Sequence, residues 1–140
     1  MTPFVVRFFP PEDVRLFEEA VRLFRKLPDI DLGFDDQHQP VLPSCHMLAR
    51  AMAPLLGLPW VDGRFGEMNA HSWLVTPNEH VLDVYPVAML GGPILVYGKG
   101  TCAPAKRLYH PQSTRVVSGG VFGSSWFRRA VRQIAGALRE

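Results

Sequence analysis

The stretch HSWLVTPNEHVLDVYPV, His71 to Val87, decides the fold. Apolar, β-branched and aromatic residues fill Ser72–Thr76 and His80–Tyr85, and Pro77, Asn78 and Glu79 between them make a turn. This pattern predicts an antiparallel hairpin. His71 then starts the first strand and Asp83 lies inside the second. The runs PWVDGRFG before it and PILVYG after it, each bounded by glycine or proline, extend the sheet.

Upstream, SCHMLARAMAPLLG changes the period from two to between three and four. Ser44 is a good N-cap, Met47, Leu48, Ala51, Met52 and Leu55 form one apolar stripe, and Gly57 suits the stop. Pro54 is expected to kink this helix or to hold it to little more than two turns. Two amphipathic helices flank this core. From Pro11 to Leu27, Val14, Phe17, Val21 and Phe24 recur at helical spacing with Leu16, Ala20 and Leu23 beside them, and Pro28 ends the run. At the other end Ser125 is read as the cap of a helix whose inner face carries Phe127, Val131, Ile134 and Leu138. Arg128, Arg129, Arg132 and Arg139 lie elsewhere on it. DIDLGFDDQHQPVLP reads as loop, and Lys99–Gly120 as a long surface loop.

The whole, residues 1–140, is therefore expected to be a single α+β domain with its core at about 43–98. A cysteine-bearing helix packs on an antiparallel sheet, with N- and C-terminal amphipathic helices. The 47% apolar and 20% charged residues are an ordinary globular balance and exclude a disordered chain. The net charge of +2, from 15 basic and 13 acidic residues, gives no reason to expect nucleic acid as a partner. The opening MTPFVVRFFPPEDVR resembles neither a signal peptide nor a membrane span, so a cytoplasmic protein with reduced thiols and no membrane partner is expected.

Cys45 is the candidate nucleophile. A thiol at a helix start, near unpaired amides and beside an imidazole, ionises more readily than a free one. The same amides point outward where an oxyanion would form. His71, 26 residues later, is placed to be its base, and Asp83, 12 residues further, to orient the imidazole across the hairpin.

Ser44-Cys45 opening an apolar helix, His71-Ser72-Trp73 and Val81-Leu82-Asp83 resemble the core signature of the transglutaminase-like branch of the papain-like cysteine enzyme superfamily. The likeness covers about Pro43 to Gly98. It implies an α+β fold with a catalytic Cys45–His71–Asp83 triad. It also implies acyl-enzyme chemistry on an amide, ester or thioester, in which water or an amine resolves the thioester. The substrate would be a peptide, a protein or a small acyl compound. Papain-like enzymes often place a glutamine shortly before the cysteine as an oxyanion donor, and Gln39 is so placed, with Gln37 a poorer candidate.

Other readings stand beside this one. The bland alternative for Cys45 is a small buried hydrophobe in a core helix, and Cys102, followed by His110, has the weaker claim to be nucleophile. Trp73 either walls a substrate cleft or is plain core. Cys45, His46 and His71 as a metal site lacks any Cys-x-x-Cys or His-x-x-x-His pair, and Cys45 and His46 are expected to point to different sides of the helix. No metal and no cofactor are therefore expected, since GKG at 98–100 is not a phosphate-binding loop either. His38, His80 and His110 are read as solvated. A non-catalytic peptide- or protein-binding module on the same fold is a rival function. Another is a peptide-processing protease with partner proteins docked through Phe8, Phe9 and the C-terminal arginines.

Overall fold

A computed structural model describes residues 9–67, 69–86 and 92–140. Among them five α-helices and five strands form a mixed α+β architecture, the coarse class that the hydrophobic periods imply. Helix α1 (Pro11–Lys26) is followed by α2 (Cys45–Leu56). Strands β1 (Trp60–Phe65), β2 (Asn69–Val75), β3 (Val81–Asp83) and β4 (Ile94–Val96) come next. Short elements α3 (Pro104–Leu108), β5 (Tyr109–Pro111) and α4 (Thr114–Ser118) precede the last helix, α5 (Ser125–Arg139). The sheet is antiparallel throughout, in the order β4-β3-β2-β1-β5.

Alternation along β2 divides the interior in two. Leu74, with Leu82 and Val84, meets α1, α2 and α5 in the main core, where Leu48, Met52, Leu23, Phe127, Ile134 and Leu138 are buried. The buried alanines Ala49, Ala51, Ala53 and Ala130 belong to the same core. Trp73 points the other way, into a smaller cluster with Val81, Ala105 and Tyr109. Trp73 is thus 2% exposed and is core, not the wall of an open cleft beside Cys45.

Local chemistry accounts for most boundaries. The Ser44 side chain accepts from the Met47 amide at 3.3 Å to start α2, and Gly57 closes it at φ 68°, a left-handed conformation that suits glycine. The helix runs through Pro54 for 12 residues, longer than the proline suggests. Pro54 is exposed, so its ring lies on the solvent side of the helix. Helix α5 begins at Ser125 and not after it. Ser124 holds the cap position but makes no side-chain cap, its hydroxyl donating to Val121 O instead.

The expected surface loop from Lys99 to Gly120 is largely structured, because Tyr97–Pro111 folds back to deliver β5 onto β1. That pairing needs Gly63. A Cβ there would sit 2.2 Å from the His110 carbonyl oxygen and 2.7 Å from the Trp73 ring. Two other expectations are also corrected. Phe9 is buried edge-on against His80 at 4.9 Å, not free for docking, while Phe8 lies outside the described residues. His80 is buried, its Nδ1 accepting from the Gly98 amide at 2.9 Å. No described helix is long and apolar enough to cross a membrane.

Candidate active site

Three of the residues named from sequence converge. His71 and Asp83 share the face of the β2–β3 hairpin opposite the main core, with Trp73 and Val81 between and beside them. His71 Nε2 lies 2.7 Å from Asp83 Oδ2, and both side chains are essentially fully buried. The carboxylate only accepts, so Nε2 carries the proton and Nδ1 is the nitrogen left for the sulfur. Trp73 stacks on this imidazole with ring centroids 6.2 Å apart, fixing the ring plane from behind. Tyr109, which the sequence reading missed, completes the arm. Its hydroxyl donates to the same Asp83 Oδ2 at 2.7 Å, and the Tyr85 amide reaches Oδ1 at 3.2 Å.

Cys45 is the first residue of α2 and is partly exposed. The imidazoles of His46 and His71 are the groups that act most strongly on its thiol against burial. In the opening turn the His46 side chain reaches β2, where Ser72 holds it. His46 Nδ1 lies 2.7 Å from Ser72 Oγ. Ser72 and His71 project from opposite faces of β2.

Behind His46 lies a second buried carboxylate. The Ser72 hydroxyl donates to Asp62 Oδ1 at 2.6 Å. Asp62 also receives a bidentate pair from Arg50, at 2.9 and 2.7 Å, and the Thr114 hydroxyl at 2.7 Å. The Arg50 guanidinium lies over the Phe122 ring, 4.6 Å from its centroid. His46 packs on the same ring at 4.5 Å. It also lines an apolar cleft of about 300 Å³ with Leu42, Met47, Phe122, Trp126 and Phe127.

The electrostatics follow from these contacts. Burial pushes the Cys45 thiol up, but hydrogen bonds and charge from His46 and His71 outweigh it and bring the pKa down to about 6. Burial pulls His71 down, but Asp83 and the sulfur outweigh that and raise it to about 9. Between those values the sulfur is a thiolate and His71 an imidazolium. Burial and the neighbouring Asp83 hold Tyr109 far above the usual phenol range, so it stays a donor. Asp62 is opposed by burial but held below the usual carboxylate range by Arg50, Ser72 and Thr114.

The remaining candidates stay apart. Gln39 is exposed in the Phe34–Pro40 turn, its backbone held by Asp35, and no described hydrogen bond joins its side chain to Cys45. Gln37 is exposed in the same turn. Cys102 is exposed and its nearest polar partner is Thr101, not His110. Among the described residues no three His, Cys, Asp or Glu side chains are grouped to hold a metal ion. Comparisons with protein-family models, with curated proteins and with solved structures return no match.

Proposed function

We propose that this chain is a cysteine-dependent hydrolase or acyltransferase working through an acyl-enzyme on Cys45, with a papain-like, transglutaminase-like core. The observation that carries the reading is His71, fixed by Asp83 at 2.7 Å through Nε2, which leaves Nδ1 for the sulfur. A nucleophile, an imidazole and an orienting carboxylate in that geometry are what acyl transfer through sulfur requires. The thiolate attacks an amide, ester or thioester carbonyl, and the leaving group takes the imidazolium proton from His71. Because sulfur and imidazole already form an ion pair, His71 acts first as an acid. Backbone amides at the start of α2 supply oxyanion stabilisation. The working thiol has to be reduced, which suits a reducing compartment such as the cytoplasm.

The activated ester p-nitrophenyl acetate, whose small acyl group asks little of a specificity pocket, tests this directly. Incubation is expected to add one acetyl group to Cys45, found by peptide mass mapping. It should also release nitrophenolate catalytically, and Cys45→Ala should abolish the catalytic part. Turnover undiminished in Cys45→Ala, with no acetyl on the wild-type sulfur, contradicts the proposal.

A further inference from the structure

We infer that His46, anchored through Ser72 to Asp62, is a second catalytic histidine, the base that activates the nucleophile resolving the acyl-enzyme. The inference rests on the acyl-enzyme reading and divides the labour within it. His71 serves sulfur and leaving group, and His46 serves the incoming water or amine.

Proton counting along the chain of contacts supports it. The Ser72 hydroxyl has one proton, and it goes to Asp62 Oδ1, an acceptor-only carboxylate held in its charged form by Arg50. Ser72 Oγ can therefore only accept from His46, so the 2.7 Å contact is an Nδ1–H donating to it. In the neutral ring the lone pair is then on Nε2. The tautomer of His71 is fixed by a carboxylate directly, and that of His46 by a carboxylate through one hydroxyl.

Placement points to the same role. His46 follows Cys45 in the opening turn of α2, its ring is held at Ser72 beside His71 in the chain, and it borders the apolar cleft, from which a second substrate or water would approach. The groups facing it are few. On its own helix they are Cys45 and Arg50, whose guanidinium also donates to the His46 carbonyl at 3.3 Å. From β2 and β1 they are Ser72 and, behind it, Asp62. Asp35 borders the same cleft, and Phe122 and Trp126 complete the wall. Arg50 answers the charge of Asp62, so this arm orients the ring without adding an unbalanced charge beside it.

The step balances. Once His71 has given its proton to the leaving group it is neutral, and His46 acts in its own neutral form, with the lone pair on Nε2. Water attacks the carbonyl carbon as His46 Nε2 takes one of its protons, forming a tetrahedral oxyanion. Collapse breaks the carbon–sulfur bond and returns the electron pair to sulfur. The carboxylic acid released loses its proton to His71, restoring the thiolate–imidazolium pair, and His46 gives its proton to solvent.

The test follows the acetyl group on Cys45 at pH 8 by mass spectrometry after p-nitrophenyl acetate is removed. In His46→Gln the acetyl-enzyme is expected to form at a rate reduced no more than iodoacetamide alkylation is reduced in the same variant. Its hydrolysis is expected to slow by about 100-fold, the usual worth of a positioned base. Ser72→Ala keeps the imidazole but frees its orientation. It should slow hydrolysis by roughly tenfold, again with acetylation tracking alkylation. If His46→Gln hydrolyses its acetyl group at the wild-type rate, or if formation and hydrolysis fall by the same factor, the role assigned to His46 is wrong while the nucleophile stands. If wild-type Cys45 is never acetylated, both readings fall.

Discussion

Two imidazoles act on one thiol, and each is held by a buried aspartate, one directly and one through a hydroxyl, but the aspartates are in different electrical situations. Among the described residues Asp83 has only uncharged donors besides His71, the Tyr109 hydroxyl and the Tyr85 amide, so the imidazolium is its counter-charge. Asp62 already has a bidentate guanidinium from Arg50, and what it passes on through Ser72 is direction rather than charge. The lesson is that a carboxylate behind a histidine is not one device. Left uncompensated it makes an acid and holds a thiolate. Neutralised first, it fixes a tautomer.

The sharpest way to break this contrast is to remove each carboxylate. Asp83→Ala leaves a buried imidazolium without its partner, and chemical denaturation should show a loss of about 3–5 kcal/mol. The milder Asp83→Asn keeps the shape, yet alkylation of Cys45 at pH 7 should fall by more than tenfold, because His71 loses the charge that keeps it protonated. Asp62→Ala instead frees Arg50, which is close to solvent and cushioned by Phe122. Its cost should be smaller, about 2 kcal/mol, with the pH midpoint for alkylation moving less than in Asp83→Asn. If the two aspartates prove interchangeable in both readouts, the contrast is false.

Tyr109→Phe sharpens one arm alone. One hydrogen bond to a buried carboxylate is lost, worth about 1.5 kcal/mol in stability, while the thiolate persists because the His71–Asp83 contact remains. At the small end, Gln39→Ala should change stability by less than about 0.5 kcal/mol and leave nitrophenyl acetate turnover as it was, since the side chain is exposed and unattached.

The two arms also differ in how far the sequence revealed them. Cys45, His71 and Asp83 were legible because each sits at a local signal: a capped helix start, a strand start and a hairpin with an evident turn. The register that puts His71 and Asp83 on one face follows from apolar alternation, since a slip by one would turn Leu74 and Leu82 out of the main core. Tyr109 gave no such signal. It reaches Asp83 only because the three-residue β5 joins β1 at Gly63, a long-range pairing with no period of its own. Asp62 and Ser72 looked like ordinary polar members of strands. What could have marked them is their inward phase, an acid in β1 and a hydroxyl in β2 pairing with each other across the sheet, with Arg50 on the preceding helix. His46 was passed over because neighbours on a helix diverge in the ideal case, whereas in a first turn tied down by Ser72 they need not.

The central claim is that Cys45 is held as a thiolate between two imidazoles, and the rate of iodoacetamide alkylation at that residue from pH 4.5 to 10, followed by peptide mass mapping, measures it. The lowered thiol pKa means the thiolate is lost as pH falls through about 6 and is fully present well above it. The account predicts a midpoint near 6 and reaction at pH 6.5 far faster at Cys45 than at the exposed Cys102. A midpoint near 8.5, the value of an ordinary thiol, with Cys102 reacting as fast or faster, would contradict it.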